Sequence, residues 1–506
     1  MPDVVIAGGG SVGLATAVFL AHHGVRAHVV ERRAGLSEHP RALGISPRTL
    51  EFFRETGLGE SLEAVAVRST AMWKANARTV AEIDRDRAPR RPPLVVPEVS
   101  PEMPRGHYPQ DRLDAVLLPA ARERGATVEF GVAVTGVEQD PDGVSVALSD
   151  GRVLRTRYLV GADGVNTAVR PALGIGTTGP GEVGDPVLNI LFEADLDARF
   201  GLMPAMTEIR HPDVRGMLMS VGERRWVLHT GAPGTPEELV RTAIGADVPV
   251  TVIAAKWWRA TLRMAEEFRA GRAFLVGDAA RAITPLGAFG LNTGLADAHN
   301  LAWKLAMVLA GRAGERLLDT YHDERHAVAE LVTRQAVLRW RNPRLHWDPS
   351  AVAERAAVGA WHAPVVAMGY RYDSAAVIDA VVDMPSTEDV LLSLDGAAGS
   401  RLPHRWVSAA VSTLDLVRSR FTVFAAEADW AEVDWADAAD KAGARLGLTV
   451  GTALVADPGW PAQVGLSAGG ALLVRPDGFV AWRSPVPVPE PDAVLESVLA
   501  RVTGLR

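Results

Sequence analysis

The sequence predicts an α/β protein of two or three domains, and three observations carry that prediction. Its 506 residues exceed what one ordinary domain holds. The chain opens on a strand, a glycine turn, a helix and a second strand. About 280 residues later another buried strand runs into a glycine-rich loop and a long amphipathic helix.

Bulk composition narrows the class. With 53 basic against 61 acidic residues the net charge is −8, which argues against a nucleic-acid surface. Cysteine is absent, so disulfides, thiol catalysis and cysteine metal sites are excluded. The one long uncharged run, Val4 to Ala21, follows Asp3, has no basic region before it and is broken by glycines. It therefore does not read as a signal or membrane segment, and a soluble, cytoplasmic protein is expected.

In "VVIAGGGSVGLATAVFL" the apolar run ends at Ala7, and Gly8 to Gly13 fit G-x-G-x-x-G. Helix follows from Leu14, and "GVRAHVVERR" is a second strand ending in Glu31. This is the Rossmann-like context that makes the fingerprint meaningful. Gly8 allows the tight turn, Gly10 lets the backbone approach a pyrophosphate, and Gly13 lets helix and strand pack closely. Ser11 and Val12 open the helix, whose free N–H groups and positive dipole end face the phosphates. Glu31 is placed to accept hydrogen bonds from a ribose diol and disfavours a 2′-phosphate, so the tightly held ligand is FAD or NAD. Arg32 and Val134 are further candidate cofactor contacts.

The second segment, "GDAARAITPLGAFGLNTGLADAHNLAWKL", separates these ligands. Asp278 stands at the carboxyl end of a buried strand, where α/β sheets meet ligands. From Leu291 apolar residues recur at helical spacing until Gly311, so the loop from Pro285 to Gly290 ends at a helix N-terminus. That is a second anion site. NAD needs one such site; FAD uses two, the first for its pyrophosphate and the second for the isoalloxazine edge. Asp278 then suits the ribityl hydroxyls, Gly290, Leu291 and Asn292 the flavin, and Pro285 and Gly287 line the oxygen-reacting side.

Gly277 to Asn292 resembles the second FAD motif of the class A flavoprotein monooxygenases, the p-hydroxybenzoate hydroxylase-like fold. The family reads G-D-A-A-H-x-x-P-P-x-G-[GA]-x-G-x-N; this chain departs from it at Arg281, where His is usual, and at Thr284, where Pro is usual. "YLVGADGVNTAVR" resembles the family's D-G motif, with Asp163, Gly164 and Arg170 on its key positions. Two looser matches are Arg41, whose alternative is a surface salt bridge, and Gln110, whose alternative is helix capping. The ending, through "GGALLVRPDGFVAWR", resembles the thioredoxin-like domain attached to aromatic polyketide hydroxylases and phenol hydroxylases. Without thiols that domain is expected to serve only packing or dimer contacts, which allows a homodimer.

The expected organisation is a first part of the FAD-binding domain over 1–175, with 70–106 adding to the substrate cover and its "RDRAPRRPP" run in a solvated loop. A substrate-binding sheet follows over 176–262. The second part of the FAD-binding domain spans 263–385, a linker-like patch runs from Met384 to Arg401, and the thioredoxin-like domain covers 400–506. Trp226 and His229, in an alternating strand, are the candidate substrate contacts, each with a core or surface alternative. His322 and His326 stand at i,i+4 but lack a third ligand, so a solvated helix face is the simpler reading.

The resemblance implies a small-molecule aromatic substrate, reduction of the flavin by NADPH or NADH, and addition of O2 at C4a. The resulting hydroperoxide hydroxylates an electron-rich ring, here a polycyclic phenol or quinone of the polyketide-tailoring type. Baeyer–Villiger insertion is the nearest alternative. A halogenase would need a W-x-W signature that "AKWWRA" and "RWRNP" do not supply, and a redox-silent binding protein on the same fold is the rival of another class.

Overall fold

The computed structural model describes residues 2–40, 42–67, 74–86, 99–426 and 434–505. The continuous apolar run Val4–Ala7 is buried on both faces because it is an inner strand of a six-stranded sheet. Ala27–Glu31 and Thr127–Phe130 extend the sheet on one side; Tyr158–Gly161 and Ala273–Leu275 extend it on the other, all parallel. Arg269–Ala270 adds an antiparallel edge. The order reverses beside Val4–Ala7, so the carboxyl ends of Val4–Ala7 and Tyr158–Gly161 open a crevice, the usual ligand position in such sheets.

A second sheet has seven strands, in the order Arg281–Ala282, Thr251–Ala265, Thr177–Glu193, Arg225–Thr230, Val214–Gly222, Met206–His211, Lys74–Ala77. The helix Pro236–Ile244 covers one face, burying Leu239, Val240 and Ile244 against Leu188, Ile190, Phe192 and Leu228. The opposite face presents Leu191, Val221 and Val227 toward Leu43 of the first domain. Within 70–106, Lys74–Ala77 pairs with Met206–Ile209 at the edge of this sheet. Residues 87–98, which hold most of the basic run, lie outside the described residues.

The C-terminal sheet runs Gly451–Val455, Thr422–Ala426, Ala471–Val474, Val480–Ser484, with the first pair parallel and the others antiparallel. With the helices Trp435–Leu446 and Pro491–Val502 this is the thioredoxin-like arrangement, and it holds no cysteine. The stretch Met384 to Arg401 is not a linker. Its polar and glycine-rich composition suggested one, but the Gly399 amide donates to Val480 O (2.9 Å) and the Val480 amide to Ser400 O (2.9 Å). Arg401 is fully buried, donating to Glu51 of the first domain.

A buried ionic cluster joins the domains. Glu324, on the long helix Arg316–Arg341, accepts from Lys304 (2.7 Å), Asn300 (2.7 Å), Ser374 (2.7 Å) and Arg475 of the C-terminal hairpin (2.5 and 3.0 Å). Burial pushes the Glu324 carboxyl up, but Arg475 and Lys304 outweigh it and hold it well below the usual range. His322 and His326 lie on the same helix; His322 accepts from the Phe268 amide (3.2 Å) and faces Glu267, while His326 faces Glu330. Because Glu324→Gln leaves Lys304 and Arg475 short of a counter-charge in a dry space, it is expected to cost about 3–5 kcal/mol. Urea unfolding followed by tryptophan emission measures the loss.

Candidate active site

Three separate motifs converge at the crevice. Gly8 has φ +108°, and a Cβ there would lie 2.4 Å from the Ala162 oxygen and 2.8 Å from Asp163 Cα. A Cβ on Gly13 would lie 1.9 Å from the Gly8 oxygen, and one on Gly294 would lie 2.9 Å from Val12 and 3.0 Å from Gly277. The first fingerprint therefore meets the D-G motif through backbone and the second glycine segment through the Val12 side chain, and glycine is required for these approaches. Gly10 differs: a Cβ there would meet only the Arg33 guanidinium at 3.8 Å. The protein leaves room at Gly10 that packing does not use, beside the uncapped N-terminus of the helix Ser11–His22.

Around this crevice the predicted residues fall as follows. Ser11 donates to Asp114 on the helix Gln110–Glu123. Glu31 is buried; it accepts from the Gly9 amide (2.7 Å) and from the Arg33 amide and guanidinium (each 2.9 Å). Burial opposes its ionisation, yet Arg33 and the Gly9 amide hold its carboxyl below the usual range. Arg32 is exposed, so Arg33, which the sequence reading passed over, is the arginine that approaches the turn. Val134 is buried in the core at the start of its strand. Gln110 begins its helix, whose N-cap is Pro109, so side-chain capping by Gln110 is not its role. Asp163 accepts from the Ala168 amide (2.7 Å) through Oδ2, while its buried Oδ1 has no partner among the described residues. Gly164, at φ +82°, makes the turn that follows. Arg41 lies outside the described residues.

The second loop is held from beneath. Asp297, at 0% exposure, accepts from the Gly277 amide (3.1 Å), Arg281 (2.5 Å) and Arg325 (2.8 Å). Thus the departure at Arg281 places a buried cation under the loop, and Thr284 donates to Ala336 O (3.3 Å) on the long helix. Gly287 (φ +104°) and Ala288 (φ +54°) bend the chain into the helix Phe289–Leu309, whose N-terminus no side chain caps. Asn292 clamps the segment that leads into the helix Pro47–Glu55: it accepts from the Ser46 amide (2.7 Å) and Thr49 (2.7 Å) and donates to Ala288 O (2.8 Å) and Gly44 O (3.3 Å). Asp278, Pro285, Gly290 and Leu291 complete the loop and helix start; Asp278 is exposed beside Arg170 and Arg263.

A cavity of about 340 Å³ adjoins this loop. Ile45, Pro47, Met103, Phe289, Val328, Val332, Val366 and Met368 make it apolar, and Arg48 and Arg325 border it. The seven-stranded sheet does not line it. Trp226 is a correction: at 2% exposure it sits on the face covered by the helix Pro236–Ile244, with its indole donating to Ala194 O (3.0 Å). Strand alternation sends His229 to the other face, toward the first domain. There Asn189 Oδ1 accepts from Trp258 (2.6 Å) and lies 2.5 Å from His229 Nδ1, so the imidazole donates through Nδ1 and carries its lone pair on Nε2. Asn189, Trp258, Asp297 and Arg325 were missed from sequence; only Asp297 left a signal, as an acid on the apolar stripe of a helix.

Two variants separate packing from ligand approach. Gly10→Ala is expected to leave the apoprotein within about 0.5 kcal/mol of the parent while weakening FAD retention more than tenfold, whereas Gly13→Ala destabilises the apoprotein as well. Flavin absorbance after gel filtration, with apoprotein melting, reads both. The pH dependence tests His229, which burial brings from 6.5 down to about 4. The unfolded chain binds that proton first, so His229 supports folding above pH 6.5 and costs stability as pH falls toward 4. His229→Gln should recover about 3 kcal/mol at pH 4 and change nothing attributable to titration at pH 8.

Comparison with known proteins agrees with this geometry. Residues 1–336 match the FAD binding domain family, and residues 395–505 match the aromatic-ring hydroxylase C-terminal family. The tetracenomycin B2 monooxygenase-dioxygenase of Streptomyces olivaceus is 38% identical, with 99% of this chain and 98% of that protein covered. Aklavinone 12-hydroxylase RdmE of Streptomyces purpurascens is 37% identical over 99% and 98% of the two chains. The crystal structure of aklavinone-11 hydroxylase in ternary complex with FAD and aklavinone superposes with a TM-score of 0.85 at 34% identity, covering 99% of each chain. The unused room at Gly10, the uncapped helix ends and the unpartnered Asp163 oxygen fit FAD. The chain belongs to the class A FAD-dependent aromatic hydroxylases of the polyketide type.

Proposed function

We propose that this enzyme uses NAD(P)H and O2 to hydroxylate a polycyclic phenol or quinone of the polyketide-tailoring class, and that the 340 Å³ cavity is where that ring system binds. The cavity carries the reading: it is apolar, of small-molecule size, and built directly on the loop that faces the flavin. FAD, when bound, supplies electron transfer and the activation of oxygen.

The chain's own residues do the rest. The amides of Ser11 to Gly13 would hold the pyrophosphate, Glu31 the ribose diol and Asp278 the ribityl chain, and the 287–292 backbone would hold the isoalloxazine. Phe289, Val328, Val332 and Met368 exclude water and orient the ring. His229, neutral above about pH 4 and with Nε2 as acceptor, faces the first domain without lining this cavity. It serves as a proton acceptor at the flavin side and not as a ring contact.

NADPH consumption by the purified holoenzyme under ¹⁸O2, with a panel of polycyclic phenols and quinones, tests the proposal. Faster consumption with one labelled oxygen in a phenolic product is the expected result. A labelled lactone would mean insertion beside a carbonyl instead. Consumption that yields only peroxide with every compound, or no consumption at all, would overturn the assignment.

A further inference from the structure

Six side chains with polar groups line the cavity, and the groups of five are engaged by the protein itself. Asn292 has both amide atoms committed, to Ser46, Thr49, Ala288 and Gly44. Because the Thr49 hydroxyl donates to Asn292, the Ser46 hydroxyl donates to Thr49 Oγ1 (3.2 Å), and it accepts from the Thr49 amide (3.2 Å). Thr293 donates to Phe289 O (2.8 Å). Arg48 donates through Nη1 to Glu51 and through Nη2 to Asp477 O, each at 2.8 Å, and its Nε is sealed from solvent. Arg325 sets Nε on Asp297 (2.8 Å), Nη1 on the Tyr372 hydroxyl (3.0 Å) and Nη2 on Thr293 O (3.3 Å).

Tyr370, which follows the short turn Val365–Gly369, is the sixth. It is 6% exposed, and its hydroxyl has no hydrogen bond among the described residues, whereas that of Tyr372 accepts from Arg325. The ring is held in place. The Tyr372 and Phe479 rings lie 5.6 and 5.8 Å from it between centroids, the second nearly parallel at 26°, and the Arg325 guanidinium lies 5.5 Å from its centroid.

A hydroxyl donates or accepts, and the surrounding charge decides which. Arg48, Arg325 and Arg401 act on the Tyr370 oxygen. Glu51 is shared between Arg48 and Arg401, and Asp297 between Arg281 and Arg325, so positive charge prevails there. The oxygen therefore turns toward the guanidiniums and the O–H toward the cavity. A donor held there without a partner costs free energy that an acceptor on the ligand recovers.

Resting on the reading of this cavity as the substrate site, we propose that Tyr370 is its specificity-determining residue, donating to a neutral carbonyl of the ligand. The cavity then takes a polycyclic phenol that carries a ring ketone or quinone, and discriminates against the same ring system without one, which leaves the hydroxyl unpaired. The role is recognition alone, and the hydroxyl moves no proton.

The probes are 2-hydroxyfluorenone and 2-hydroxyfluorene, which share their rings and hydroxyl and differ by a carbonyl in place of a methylene. Calorimetry gives their dissociation constants from the oxidised holoenzyme, for the parent and for Tyr370→Phe. The substitution should weaken the ketone about tenfold and leave the fluorene within about twofold. Equal losses for both would mean that Tyr370 only packs, and would overturn the proposal, as would failure of both probes to bind. Should Tyr370→Phe not fold, the carbonyl stretch of the bound ketone decides, isolated by ¹³C labelling in infrared difference spectra of the parent. It must lie below its position in cyclohexane; an unshifted band overturns the assignment. Oxygen transfer in the ¹⁸O2 assay with no ketone preference would sink this inference and leave the enzyme's activity standing. A ketone preference lost in Tyr370→Phe, with no oxygen transfer to any compound, would do the reverse.

Discussion

Asp297 accepts from the Gly277 amide, Arg281 and Arg325 at once, so one dry carboxylate fixes where the glycine-rich loop begins, where the helix after it lies, and how the long helix crosses both. The whole stretch from Gly277 to the start of the helix Phe289–Leu309 hangs on that arrangement. The loop itself has little to hold it: Gly287 and Ala288 have positive φ, and its outer residues are exposed. Removing the carboxylate would leave two buried guanidiniums facing each other, which is why such a centre is costly to disturb even where it contributes little net stability. Asn292 does the complementary work on the outside, tying the helix start to the segment from Gly44 to Thr49.

The crevice at the glycine turn was legible in the sequence because its requirements are local. A tight turn needs Gly8 and close packing needs Gly13. The acid Glu31 must end the adjoining strand. These are constraints of spacing, and spacing is what a sequence displays. The same holds for the C-terminal sheet, whose hairpin around Arg475 to Gly478 is written in two short apolar runs and a turn. Asp297 was half visible: an acid on an apolar helix stripe signals a buried partner, though not which one.

The cavity beside the glycine-rich loop was not legible, for a different physical reason. Strand alternation shows that Trp226 and His229 point to opposite faces but not which face meets a ligand; the helix Pro236–Ile244 took the Trp226 side. The cavity is assembled from residues 44–48, 103–104, 287–296, 325–332 and 363–370, five stretches with no common spacing. Met384 to Arg401 misled in the same way. Its composition is that of a connector, while its backbone is committed to Val480 and its last side chain to Glu51, 350 positions earlier.

These long-range commitments change what the C-terminal domain means. A domain kept only for packing would meet its neighbour through apolar surface with a polar rim. Here the contact includes Glu324 with Arg475, Arg48 with the Asp477 carbonyl, and Glu51 with Arg401, all of them buried. Buried ion pairs of this kind are poor sources of net stability compared with apolar residues of similar volume. What they supply is register. Each pairing has one geometry that satisfies both partners, and any sliding of the domain leaves a charge stranded. Arg48 sits at the end of that chain of constraints, between the domain contact and the cavity wall. The position of a guanidinium beside the cavity is therefore set by a turn more than four hundred residues downstream in sequence.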